Sequence, residues 1–550
     1  MDLAHKASLH VKELTGWDIP VIFAGFFTFI TICVVWTRLT SGVAVSSVSS
    51  TSKPPPSLPY WIPLLGHLPR WLFEYDKTLM ETKDAFDTGI STLIIATENH
   101  HIVSSADLVG QIRTTHKDRI SDTLAKMRFW RNVFNVPKNE LGLYHELVSA
   151  INIPIRFHLN ANLGVPKTPE ENPLRRIQGN ISDLITFNVH PIDQELWERV
   201  SAIRLSEDQK LAEVSLLPLV FLFLTHMTTD TFVSESLLSD QDHPEVGPLL
   251  LAFVQSSSLL MTGLPRWVPH PTLPAAHITR RNLMKHLNAL LDITEDVELQ
   301  NNLLAARGRM LDDHKAPRSI RTIELLRLLH GMNTPHIIAF WMLLHIISDA
   351  NLLERIRVEA IKVVDIVQDG PVMGFSVPPR VTLDMSGLLG DKTPLLKRCW
   401  LESARLYSRG QGAWTATEDF DLIGQTGGVF STKSRWKIAK GDWIDAPYWH
   451  SNTSASMWEA PEKWNPNRHV EDEGKDLLFD TMVFDTPGLF GMNEAIKPAR
   501  LFALAFVASA VLLYDFETDP KKGIPDSQFA PGVALPAFDV RVRVRRRVYA

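Results

Sequence analysis

The run WDIPVIFAGFFTFITICVVW, Trp17–Trp36, constrains this chain more than any other stretch. It carries no charge from Ile19 to Trp36. About 20 apolar residues cross the hydrocarbon core of a bilayer, and a single segment satisfies its backbone hydrogen bonds there only as a helix. A cleaved signal peptide has a shorter apolar stretch with small residues before the cleavage point. Here the run is longer, and tryptophans stand at both ends, where aromatic side chains anchor a span at the two interfaces. The reading is a spanning helix, with a buried core helix as the alternative. Lys6 and Lys12 precede it and Arg38 follows, so charge sets only a weak orientation bias. Cys33 lies inside it as an inert lipid-facing or packing residue.

The rest of the chain is organised behind that run. Residues 1–40 read as a membrane anchor, 41–71 as linker and hinge, and 72–550 as the body. Thr40–Lys53 is rich in Ser, Thr and small residues, the composition of a flexible linker. Pro54–Trp71, PPPSLPYWIPLLGHLPRW, is a stiff connector, because each proline fixes its own φ and disfavours helix before it. Leu93–Ser105, LIIATENHHIVSS, predicts two strands with a turn at Glu98–Asn99. From Ala106 to Gly370 the chain reads as mostly helical, with apolar residues three and four apart in Glu213–Thr228 and Thr322–Ile347. The last third mixes helices with short strands. Its VRVRVRR tail fits a half-exposed strand better than a nucleic-acid arm, since Val fills every second position. The fold class is mainly α with small β-sheets.

Composition excludes several functions. A net charge of -6 offers no basic field for phosphates, so nucleic acid is not an expected partner. The 550 residues contain 2 cysteines, Cys33 and Cys399. That excludes a disulfide framework and a Cys-rich zinc or iron–sulfur site, and no metal site is expected.

Four spaced segments carry a resemblance. LESARL holds Glu402 and Arg405, three apart on a predicted helix and therefore neighbours. WNPNR holds Arg468, which can reach the same carboxylate; a buried Glu between two Arg would be satisfied by bidentate bonds. A plain surface salt bridge is the alternative. HGMNTP, His330–Pro335, sits within a long predicted helix, and FGMNEAIKPARLFA spans Phe490–Ala503. ExxR alone is a weak signal. All four in order behind a proline hinge resemble a microsomal cytochrome P450 of the fungal biosynthetic type, over nearly the whole chain.

The resemblance implies a cytochrome P450 fold preceded by an N-terminal transmembrane helix. It implies a single-pass protein of the endoplasmic reticulum, its body on the cytoplasmic side, acting on a small apolar substrate. It makes Glu402, Arg405 and Arg468 a structural triad beneath a haem, and gives His450 a structural place. Where the family has an acid and a Thr beside the oxygen site, this chain has Asn333 and Thr334, followed by the helix-kinking Pro335. An Asn cannot relay protons as an acid does. Around the family's haem loop Phe490, Gly491, Pro498, Arg500, Phe502 and Ala503 match, but Lys497 stands at the cysteine position. Ala499 replaces a small residue, Ala495 a basic one, and Met492 and Asn493 two glycines. The family's early propionate-binding Trp and Arg have no clear match near Trp130–His145.

The missing thiolate would remove the electron push that favours O–O cleavage. The expectation is therefore no catalytic haem, and a redox-neutral cyclisation, Diels–Alder-type cycloaddition or isomerisation of a terpenoid or polyketide intermediate. Asn333, Thr334, His330 and Lys497 are the candidate catalytic groups, able to polarise a substrate carbonyl. Each has a plainer reading: Lys497 as a solvated cation, Asn333 and Thr334 as partners of the kinked backbone, His330 as a packed helix residue. One alternative is a haem monooxygenase with an atypical ligand, such as neutral Lys497, and an NADPH-dependent reductase as partner. Another is a non-catalytic membrane scaffold.

Overall fold

A computed structural model of the chain describes residues 19–42, 52–161, 172–233, 244–294, 303–369, 377–425, 433–469 and 496–547. The leading run forms helix α1, Ile19–Thr40. Its apolar stretch Val21–Thr40 has 20 residues with none packed into the interior, about 30 Å at 1.5 Å per residue. The hydroxyls of Thr28, Thr31, Thr37 and Thr40 each donate to the carbonyl four residues back, at 2.7–2.8 Å. This hides polar atoms that lipid could not satisfy.

The described residues form two compact units. The first comprises Met1–Asp122 with Ala413–His450. The start of the proline hinge joins it through isolated bridges, Lys53 to Trp436 and Ser57 to Thr92. Lys53 N–H donates to Arg435 O at 3.0 Å, Lys437 N–H to Lys53 O at 2.7 Å, and Thr92 N–H to Pro56 O at 2.7 Å. Prolines lack a donor but keep the carbonyl, and the carbonyl is what the sheet edge uses. The linker expected over Thr40–Lys53 is thus already ordered at Lys53, while 43–51 lies outside the described residues. Ile90–Ile95 and Glu98–Val103 pair antiparallel, with Ile95 opposite Glu98. The turn is at Ala96–Thr97, both at positive φ, not at Glu98–Asn99. Glu98 and Asn99 are polar because they begin the exposed end of a strand, and Asn99 reaches Asp442 at 3.1 Å. Glu98–Val103 also pairs parallel with Trp443–Pro447, where His100 meets Asp445 at 2.8 Å and His101 meets Asp442 at 3.0 Å. His450, on the short helix Tyr448–Asn452, is buried.

The second unit, Thr123–Gly412 with Ser451–Ala550, holds the helices that carry the site. They are α2 (Leu216–Phe232), α3 (Arg318–Asn333), α4 (His336–Ile347), α5 (Pro394–Tyr407) and α6 (Ile496–Leu513). The helical period read from Glu213 begins at Leu216, because Ala212–Ser215 pairs as a strand with Arg541–Val544. In the tail strand Arg541–Arg546, Val542 and Val544 are buried while Arg543 and Arg545 are exposed, as the alternation requires. By length and composition α6 could cross a membrane. Instead it is buried against α2, α3, α4 and α5, with Phe502 on Phe232 and Phe506 on Phe223, both at 5.5 Å between ring centres.

Candidate functional site

Glu402 lies fully buried on α5. One helical turn on, Arg405 grips it with two bonds, Nε to Oε2 at 2.9 Å and Nη2 to Oε1 at 2.8 Å. Arg468 Nε reaches Oε1 at 3.0 Å, as does the Asn465 backbone N–H at 2.9 Å. The triad predicted from spacing therefore forms. Sequence reasoning missed a further member: His469 Nε2 meets Oε2 at 2.9 Å. A carboxylate has about four acceptor sites, so two arginines leave some open, but nothing in the sequence names the group that fills them. Arg405 also donates to Pro461 O at 2.8 Å and stacks on Trp458, 5.1 Å from ring centre. Arg468 spreads over the carbonyls of Glu459, Ala460 and Lys463. The cluster ties the segment from Trp458 to His469 onto α5.

The long helix breaks between α3 and α4 at Thr334–Pro335, as the proline predicts. Pro335 has no N–H to offer the preceding turn. The side chains fill in: Asn333 Nδ2 donates to Leu329 O at 2.9 Å, and Thr334 Oγ1 to His330 O at 2.7 Å. The amide and the hydroxyl are thus occupied by their own backbone. Asn333 Oδ1 and His330 Nε2 are buried and have no hydrogen-bond partner. Three residues apart, they share a helix face. His330 packs edge-on against Phe134 and Phe253, each at 5.6 Å. Just past the kink, His336 Nε2 meets Thr228 Oγ1 of α2 at 2.9 Å, another pair that sequence distance concealed.

Burial holds the imidazole of His330 neutral, its pKa lowered from 6.5 to about 4. Its folded value lies below its unfolded one, so its contribution to stability is complete above pH 6.5. That contribution is lost as pH falls from 6.5 through 4. Replacing His330 by Phe should remove about 2 kcal/mol of the stability lost between pH 7 and pH 5. Urea unfolding of wild type and variant at the two pH values measures it; equal losses would show that His330 is not buried neutral.

Lys497 is exposed, the second residue of α6. Pro498, Ala499, Phe502 and Ala503 behind it are buried. Phe490, Gly491, Met492, Asn493 and Ala495 lie outside the described residues. The structure brings His330, Asn333 and Thr334 together at one buried turn, and leaves Lys497 on the surface. Cys399 is fully buried on α5, and burial pushes its thiol well above the ordinary range. Cys33 is on α1.

The chain has a mainly helical body with small sheets, an apolar leading helix and a carboxylate gripped by two arginines. It is similar to cytochrome P450 monooxygenase efuG of Hormonema carpetanum, 22% identical over 558 residues and 92% of each chain. It is also similar to cytochrome P450 monooxygenase poxD of Penicillium oxalicum, 23% identical over 42% of this chain and 44% of that one. No family model matches the chain. The resemblance implies a haem on a cysteine thiolate; the chain's two cysteines are Cys33 on α1 and Cys399, buried on α5. The position that the resemblance assigns to the ligand is Lys497, which is exposed.

Proposed function

We propose that this protein is a membrane-anchored cytochrome P450-like enzyme that acts on a small apolar molecule without a cysteine-thiolate iron centre. The observation that carries the proposal is the placement of the cysteines. Cys33 belongs to α1, Cys399 is enclosed in α5, and neither stands at position 497. The anchor supports a membrane location, and the resemblance supports the endoplasmic reticulum with the body on the cytoplasmic side.

Two reactions fit within that proposal, each favoured by its own observation. The similarity to two monooxygenases supports an oxidation, with a haem on another ligand and an NADPH-dependent reductase as electron donor. This chain's own residues support a redox-neutral step: a cyclisation, a cycloaddition or an isomerisation of a terpenoid or polyketide intermediate. His330 Nε2 and Asn333 Oδ1 are buried polar atoms without partners. Fixed in a water-poor site, a His330 N–H could polarise a carbonyl, and orientation alone could lower much of such a barrier.

The test is the absorption spectrum of purified protein, reduced under carbon monoxide, together with turnover of candidate intermediates. A thiolate-haem signature in wild type would overturn the proposal. A haem signature of another kind, with turnover that needs NADPH and oxygen, selects oxidation. Turnover without either selects the redox-neutral step.

A further inference from the structure

Four aromatic rings follow one another from the interior of α4 outward. Trp341 and Tyr407 are stacked, 1° from parallel, with ring centres 4.0 Å apart. Tyr407 neighbours His345 at 5.7 Å, and His345 stacks on Trp464 at 4.5 Å, 3° from parallel. The helices set this register. Trp341 and His345 are four apart on α4 and so share a face, and Tyr407, the last residue of α5, packs against that face. A bond holds each end. Trp341 Nε1–H donates to Ala534 O at 2.8 Å, and Trp464 Nε1–H to Ser403 Oγ at 3.0 Å. The inner end, Trp341, is fully buried, and the outer end, Trp464, is half-buried between the exposed Lys463 and Asn465.

Packing accounts for stacked rings. The bond in their midst adds chemistry: the Tyr407 hydroxyl donates to His345 Nε2 at 2.7 Å. Burial acts on the two groups in opposite senses. It lowers the His345 pKa from 6.5 to about 3 and pushes the Tyr407 phenol well above its ordinary range. At pH 7 the pair is therefore a neutral phenol on a neutral imidazole. Tyr514 is the contrast. It is as deeply buried, but its hydroxyl donates to Ser182 O at 2.8 Å, and a carbonyl is no base. Losing an electron turns a phenol into a strong acid, so a buried phenol is readily oxidised only with a base in hydrogen-bond reach. Tyr407 has that base, and the nearby Glu402 carboxylate favours positive charge on the ring. The rings on either side offer an electron short steps.

We propose that Tyr407 is a redox-active tyrosine, oxidised by one electron through Trp464 while its proton moves to His345 Nε2. The oxidant is a one-electron acceptor that meets the chain at Trp464, of the class of organic peroxyl radicals. The peroxyl radical takes an electron from Trp464 and a proton from water, and leaves as a hydroperoxide. Trp464 recovers its electron from Tyr407. The phenolic O–H bond breaks, an N–H bond forms on His345, and Tyr407 remains as a neutral radical beside the Trp341 ring. This chemistry is independent of whether the chain holds a haem.

The experiment uses the full chain in detergent, with flash-generated ruthenium(III) tris-bipyridine as the one-electron oxidant. Transient absorbance and freeze-quenched electron paramagnetic resonance identify the radical. Wild type should give mainly a neutral tyrosyl radical. Its rate of formation should stay flat from pH 5 to pH 9, because a buried ring that is neutral throughout takes the proton. A rate that climbs with pH would mean that water or hydroxide takes it, and would overturn the proposal. Tyr407→Phe keeps the stacked ring and should lower the tyrosyl yield several-fold, leaving a tryptophanyl radical. His345→Phe and Trp464→Phe should each slow tyrosyl formation several-fold. Thermal unfolding checks that each variant is folded, and the pH profile is read on wild type alone. A wild type that stops at a tryptophanyl radical overturns the proposal. So does an unchanged yield in Tyr407→Phe, which would put the radical on another of the 7 tyrosines. An unchanged rate in His345→Phe or in Trp464→Phe removes the proton acceptor or the entry point, and the proposal with it.

Discussion

Glu402→Ala should leave little folded protein. The substitution deletes the carboxylate that meets the guanidinium groups of Arg405 and Arg468 and the ring of His469. Two cations would remain desolvated without a counter-charge, and losing one side of a buried ion pair costs about 3–5 kcal/mol. A domain has only about 5–15 kcal/mol in total. Thermal unfolding of the purified variant, and its recovery on expression, measure the effect. The exposed pair Arg70–Glu81, at 2.6 Å, is the internal contrast: Glu81→Ala should change stability by less than about 1 kcal/mol.

The same carboxylate gives a pH signature. Burial alone would raise its pKa. Hydrogen bonds from Arg405, His469 and the Asn465 N–H outweigh that and lower it from 4.5 to about 2. With the folded value depressed, its stabilisation, about 3 kcal/mol, is present above pH 4.5 and lost as pH falls from 4.5 to 2. This window lies below that of His330, so the two losses are separable.

Lys497→Cys should gain a haem-thiolate absorbance, when expressed with haem supplied, that wild type lacks. The reason is the position. Residue 497 is exposed in the first turn of α6, an 18-residue helix whose N-terminal dipole favours an anion. A cysteine there would ionise readily, whereas Cys399 is held as a thiol by burial. Lys497→Ser, which cannot supply a thiolate, is the control. If Lys497→Cys folds but gains no such absorbance, the assignment of position 497 to the haem ligand fails.

The sequence and the structure agree where spacing alone determines contact. Glu402 and Arg405 are a turn apart, and Pro335 breaks any helix, so the cluster and the kink were legible. His469 was not, because its partner lies 67 positions away and nothing local marks the ring as buried. The Thr228–His336 pair is likewise separated by 108 positions. Asn333 and Thr334 were correctly placed at the kink, but which of their atoms the backbone would use follows from rotamers. The edge contacts of Phe134 and Phe253 on His330 come from tertiary packing of three segments. The turn at Ala96–Thr97 escaped because polar residues mark the exposed start of a strand as well as a turn.

The burial of α6 has a consequence for biosynthesis. Ile496–Leu513 is as qualified as α1 to enter a bilayer by length and apolarity, yet it belongs in the interior. A chain emerging beside a membrane must keep these two helices apart. The order of synthesis helps, since α2, α3, α4 and α5 all precede α6 and domains fold largely as they emerge. When α6 appears, the surfaces of α2, α3, α4 and α5 against which it packs already exist. Late synthesis thus favours docking of α6 in the interior over its insertion into a bilayer.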